Sequence, residues 1–73
     1  MTSDELERLL EDMIGAQRKR VWELAHRIAP EIAPEDLLQP HDHPRIAGDS
    51  RFQYEDGILA GYLAIRAALR ASR

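Results

Sequence analysis

The residues with the clearest potential for chemistry lie between positions 41 and 56. His41, Asp42 and His43 are consecutive, and Glu55 and Asp56 follow in the same charged part of the chain. Two histidines at positions i and i+2 of an extended segment point to the same side. With one carboxylate they complete a ligand set that binds Zn, Fe or Mn. The pattern predicts a metal site formed by His41, His43 and either Glu55 or Asp56.

The same residues also have a simpler interpretation. His41 and His43 lie in a proline-rich segment, where short histidine pairs in contact with solvent are common. Glu55 and Asp56 fall in the first turns of a predicted helix, where negative charge interacts favourably with the helix dipole. We therefore expect no cofactor in this protein and keep a divalent metal as the alternative.

Other catalytic patterns do not occur in the sequence. The chain has no cysteine, which excludes disulfides and thiolate metal ligands. It contains neither a glycine-rich phosphate loop nor a nucleophile elbow. The basic run Arg18-Lys19-Arg20 spreads over most of a helical turn beside acidic neighbours, which is typical of a solvated face. These features favour a binding protein over an enzyme.

A first long helix is predicted from residue 3 to residue 29. Thr2 followed by Glu5 fits a capping box at its start, and Pro30 ends it because proline cannot donate the next helical hydrogen bond. The apolar positions recur at helical spacing and form one stripe, interrupted only by Gln17. Its members are Leu6, Leu10, Met13, Ile14, Val21, Leu24, Ala25 and Ile28.

A second long helix is predicted from residue 51 to residue 71. Ser50 followed by Gln53 fits another capping box, and Asp49 is the competing cap. One side of this helix is apolar, with Tyr54, Ile58, Tyr62, Ile65 and Leu69 in the centre and Phe52, Leu59 and Leu63 flanking them. The other side carries the small residues Gly57, Ala60, Gly61, Ala64, Ala68 and Ala71. A helix that is apolar or small nearly all round is expected to be buried.

The connection from residue 30 to residue 49 contains all four prolines of the chain. Their spacing rules out a long helix, but the segment 34–38 can form one helical turn, with a proline at its first position. Ile32, Leu37, Leu38 and Ile46 can pin this loop onto the helices, so we expect it to be ordered. Seven carboxylates and only two arginines lie between residues 31 and 56. This acidic loop is a candidate contact for a protein partner.

These elements predict an all-α single domain, an antiparallel two-helix hairpin with a long ordered loop. The first helix offers only one apolar stripe, so it cannot cover both sides of the second helix. A second copy of the chain would cover the rest and give a two-fold symmetric four-helix bundle. The predicted interface residues are Trp22, Gly57, Gly61, Ala64 and Ala68. In the alternative, the chain's own loop covers the small side through Leu37, Leu38 and Ile46.

Charge and hydropathy limit the other classes of function. The net charge is −3, which argues against non-specific nucleic-acid binding. The start lacks the regions of a signal peptide, and the most apolar run, 58–68, is too short for a membrane span and contains Arg66. The sequence therefore predicts a cytoplasmic, self-associating protein–protein interaction module without enzymatic activity. A small metal-binding protein or metalloenzyme subunit is the alternative.

Overall fold

The computed structural model describes residues 1–72 of the 73-residue chain, and Arg73 lies outside the described residues. The elements in chain order are α1 (Ser3–Ile28), a 3-10 helix (Pro34–Leu38), a second 3-10 helix (Pro40–Asp42), α2 (Pro44–Ala47) and α3 (Ser50–Ala71). No strand occurs among residues 1–72. The all-α class predicted from the sequence is confirmed.

Helix α1 begins and ends for local reasons. The hydroxyl of Thr2 accepts a hydrogen bond from the backbone N–H of Glu5 at 3.1 Å, so Thr2 caps the first turn. At the other end, Ala29 has φ −137° and ψ 86°, which is outside the helical region. Steric contact with the ring of Pro30 disfavours a helical conformation for the preceding residue. The helix therefore ends at Ile28, one residue before the predicted end.

Helix α3 is capped by Asp49, the competing cap of the sequence interpretation. The Asp49 carboxylate accepts hydrogen bonds from the backbone N–H groups of Arg51 and Phe52, at 2.9 and 3.0 Å. One carboxylate oxygen thus satisfies two of the free donors at the helix start. Ser50 becomes the first helical residue, so the helix begins one position earlier than predicted.

The two long helices pack against each other in antiparallel orientation. Gln17, in the second half of α1, donates to Glu55 near the start of α3. Arg66, near the end of α3, donates to Glu11 in the first half of α1, with Nη1 3.1 Å from Oε1. Late positions of one helix therefore face early positions of the other.

The core joins one side of each helix to the loop between them. The buried apolar residues are Leu10, Ile14, Val21, Leu24, Ala25, Ala29, Ile32, Ile46 and Phe52. Ile46 in α2 is 0% exposed, so the loop supplies one of the two most deeply buried large side chains. The expected pinning of the loop is provided by Ile32 and Ile46, with Leu37 packed against the same core, whereas Leu38 is 84% exposed.

The side of α3 that faces the core differs from the side expected. Phe52 is the one α3 residue buried among those described, and Leu59 packs beside it. Tyr54 and Ile65, placed at the centre of the apolar side by the sequence, are 70% and 52% exposed. Helix α3 is therefore half-exposed in this chain, which corrects the expectation of a buried helix. Because α3 is apolar nearly all round, its own pattern does not determine which side turns inward.

Candidate functional site

The two histidines of the predicted metal site interact with different carboxylates. His41 lies beside Asp42, with Nε2 3.5 Å from Oδ1, and both side chains are well exposed. His43 lies beside Asp36, with Nε2 3.8 Å from Oδ1, and both are about one-third exposed. Neither of these carboxylates is Glu55 or Asp56, the ligands predicted from the sequence.

Glu55 and Asp56, about 100° apart on α3, have different surroundings. The Glu55 carboxylate accepts a hydrogen bond from the Gln17 side chain at 2.7 Å. Asp56 instead lines a groove that also contains Trp22. Within residues 1–72, no three histidine, aspartate or glutamate side chains form a group that could hold a metal ion. Metal binding therefore stays a prediction from the sequence.

Most loop carboxylates have partners within the chain. Asp36 accepts a hydrogen bond from the backbone N–H of Ala33 at 2.9 Å, which closes the turn that begins at Pro34. Glu31 forms an ion pair with Arg45. Asp49 caps α3, and Asp42 lies beside His41. These four carboxylates therefore contribute to local structure. A partner at the loop would therefore meet fewer free charges than the sequence suggests.

The small residues of α3 form an open surface. Gly57, Gly61, Ala64 and Ala68 are all exposed, and at about 100° per residue they lie within a strip of about 60°. Apart from the helix's own backbone, no heavy atom lies within 4 Å of a Cβ added at Gly57 or Gly61. The loop therefore does not cover this strip, contrary to the alternative considered from the sequence. We call these four residues the small-residue face.

Larger apolar side chains on the surface add to the uncovered area. Leu9 and Met13 of α1 are 47% and 39% exposed, and Ile65 of α3 is 52% exposed. On a helical wheel Ile65 lies next to the small-residue face. Met13 belongs to the predicted core stripe, and Leu9 lies directly beside that stripe on the helical wheel. This position of Leu9 is the sequence signal for an exposed apolar residue.

Trp22 belongs to a different surface from the other predicted interface residues. Its ring stacks on His26, with centroids 5.4 Å apart, and it lines a groove of about 590 Å³. Leu59 and Leu63 form the α3 wall of this groove, and they lie on the side of α3 away from the small-residue face. Leu37 of the loop borders it as well. The predicted interface is thus divided between two surfaces.

A second cleft brings together arginines that are distant in sequence. Arg20 and Arg27 of α1 and Arg51 of α3 line a cleft of about 370 Å³. In the sequence, Arg20 belongs to a basic run typical of a solvated face, and Arg27 and Arg51 carry no motif. No local pattern could have identified them, because their proximity depends on how α3 packs against α1.

Comparison with known proteins adds no functional information: no family model, curated protein or solved structure matches this chain. Among the described residues, no helix combines the length and apolar character needed to cross a membrane. Function must therefore be argued from the surfaces described above.

Proposed function

We propose that this protein is a small, non-enzymatic interaction module that self-associates through the small-residue face of α3. The observation that supports the proposal is the absence of charge on the outward side of α3 from Gly57 to Ala71. The charged residues of this stretch, Arg66 and Arg70, turn to α1 and both pair with Glu11, at 3.1 and 3.6 Å. Burying such an uncharged strip costs little desolvation and removes apolar surface from water.

Glycine and alanine suit this strip to helix–helix contact. Gly57 and Gly61 carry no side chain, so the backbone of a second helix can approach closely. Ile65, which lies next to the small-residue face, would then pack at the edge of the crossing. With α1 and α3 from each copy, the proposed assembly is a two-fold symmetric four-helix bundle.

The size of the chain supports the same proposal. A chain of 73 residues buries only about 60% of its unfolded surface, less than a larger domain does, and its sequence has no cysteine for a stabilising disulfide. Oligomerisation is one of the remaining ways for a small domain to gain stability. Burial of the exposed apolar side chains against a second copy would add about 25 cal/mol for each Å² removed from water.

We also propose that the protein binds a protein partner through its loop and is located in the cytoplasm. Leu38 is 84% exposed, and Glu35 is exposed without a described ion-pair partner. A partner at this loop would therefore contact an apolar side chain flanked by one free carboxylate. This part of the proposal is independent of self-association, because the loop and the small-residue face lie on different surfaces.

Native mass spectrometry of the purified protein tests self-association directly, since one spectrum gives subunit number and bound mass. We expect a dimer of the unmodified chain. The variant Gly61→Leu places a large side chain in the proposed contact and should raise the dimer dissociation constant at least about tenfold. Gly15→Leu is the matched control, because Gly15 is a helix glycine of α1, outside the small-residue face, and likewise has no heavy atom within 4 Å of an added Cβ.

The outcomes separate the competing functions. A monomer at all accessible concentrations, or equal dissociation constants for the two leucine variants, would contradict the proposed interface. A metal-sized mass increment per subunit that disappears with a chelator would support the alternative metal site. In that case the variants His41→Ala and His43→Ala should lose the increment.

A further inference from the structure

The cleft between α1 and the start of α3 concentrates positive charge on an acidic protein. Its lining includes Arg20, Arg27 and Arg51, although the whole chain has a net charge of −3. Arg20 and Arg27 are two helical turns apart on α1, and Arg51 approaches them from the first turn of α3. Three cations from two helices thus border one cavity.

These arginines form few ion pairs within the described part of the chain. Arg20 and Arg27 have no ion-pair partner in the part of the chain that the structure describes. Arg51 has one, Asp49, at 3.9 Å, and its side chain is 73% exposed. By contrast, Arg66 forms a hydrogen-bonded pair with Glu11 at 3.1 Å. The cleft therefore holds donors that a ligand can use.

Two carboxylates also border the cleft, and both have other partners. Glu55 accepts a hydrogen bond from Gln17 at 2.7 Å. Glu23 pairs with Lys19 at 3.9 Å. Neither forms an ion pair with Arg20 or Arg27. The lining therefore has three arginines against two glutamates that already have partners, which favours an anionic ligand.

We propose that this cleft binds a phosphate monoester. The planar fork of N–H donors on arginine matches the oxygen geometry of phosphate and can bind it through two hydrogen bonds at once. Tyr54, 70% exposed, also lines the cleft and offers a ring against which the organic part of the ligand can lie. A volume of about 370 Å³ is at the lower end for small-ligand sites, which fits a mononucleotide or one phosphorylated side chain. The N-terminus of α3 does not contribute to this site, because its N–H groups at Arg51 and Phe52 already donate to Asp49.

Isothermal titration calorimetry with three probes tests this inference: adenosine monophosphate, a short peptide containing phosphoserine, and inorganic phosphate. We expect saturable binding of at least one monoester, tighter than that of inorganic phosphate. The variants Arg27→Gln and Arg20→Gln each remove one guanidinium group. Each should raise the dissociation constant of the monoester about tenfold, which corresponds to the loss of one hydrogen bond to a charged group. Arg8→Gln is the matched control, because Arg8 is exposed, lies outside the cleft and changes the net charge equally.

The results distinguish a built site from general attraction between charges. Equal weakening by Arg8→Gln and Arg27→Gln, or no saturation by either monoester, would overturn the proposal. Preference for the nucleotide or for the phosphopeptide supports it and identifies the source of the phosphate. Glutamine retains good helix propensity at these exposed positions, so the variants should keep the far-UV circular dichroism of the parent protein. The inference is independent of self-association, which native mass spectrometry reports on the same samples.

Discussion

Gln17 and Glu55, 38 positions apart in the chain, are joined by two hydrogen bonds. The side-chain amide nitrogen of Gln17 lies 2.8 Å from the carbonyl oxygen of Glu55 and 2.7 Å from its carboxylate. Gln17 is 5% exposed and interrupts the apolar stripe of α1. A buried amide without partners costs free energy, so this pair favours a single register of α3 against α1.

The first prediction concerns this pair. Gln17→Ala should destabilise the fold because it removes both hydrogen bonds and leaves a small cavity. Glu55→Ala removes the carboxylate but keeps the backbone carbonyl, so a double-mutant cycle of Gln17→Ala with Glu55→Ala isolates the hydrogen bond to the carboxylate, for which we expect a coupling free energy of about 1.5 kcal/mol. Urea denaturation followed by circular dichroism measures it.

The control cycle uses Lys19 and Glu23, an exposed pair at 3.9 Å on one helix. Its coupling should be about 0.3 kcal/mol, since solvent screens exposed ion pairs. Equal coupling in the two cycles would show that the Gln17–Glu55 contact has no special role.

The second prediction tests the docking of the loop. Ile46 is 0% exposed, so Ile46→Ala removes contacts and creates a cavity, which should cost about 2–5 kcal/mol in the free energy of unfolding. Leu38→Ala, in the same loop at 84% exposure, should change it by less than about 0.5 kcal/mol. Similar losses for the two variants would mean that the loop does not pack through Ile46.

The third prediction concerns the start of α3. Asp49→Ala removes the acceptor for two backbone N–H groups and should lower the free energy of unfolding by about 1 kcal/mol. Asp49→Asn keeps an acceptor oxygen and should lose less. Thermal denaturation of the three proteins checks the order. If Asp49→Asn is as unstable as Asp49→Ala, the stabilisation comes from the negative charge and its interaction with the helix dipole.

The fourth prediction compares two glycines with open space around them. In an exposed helix interior, alanine is more stable than glycine by about 0.5–1 kcal/mol, so Gly15→Ala should raise the Tm at every protein concentration. Gly61→Ala gains the same helix propensity but places a methyl group in the proposed dimer contact. Its advantage should therefore shrink as concentration rises and the dimer forms. Parallel Tm increases for both variants at all concentrations would argue against close packing at Gly61.

Local features of the fold followed from the sequence. Thr2 caps α1 and Pro30 limits it, because both effects act within one helical turn. The sequence offered two neighbouring caps for α3, Asp49 and Ser50, and Asp49 is the cap in the structure. The backbone of Asp49 is extended, so its carboxylate can accept hydrogen bonds from two N–H groups at once.

Features that depend on packing could not be predicted in the same way. The apolar pattern of α3 is nearly continuous around the helix, so nothing in it favours Phe52 over Tyr54 as the buried aromatic residue. The choice depends on contacts with Ile46 and the α1 stripe, which are remote in sequence. The arginine cleft depends on packing even more, since Arg27 and Arg51 line the same cleft only after the hairpin has formed.

The position of Trp22 gives this protein an internal spectroscopic reporter. It is the single tryptophan of the chain, and its ring lies in the groove beside the loop, stacked on His26. Its fluorescence emission should therefore respond when the loop detaches or a molecule enters that groove. Contact between two copies at the small-residue face, on the other side of α3, should leave the emission nearly unchanged. Events at the two surfaces can thus be followed separately in one unlabelled sample.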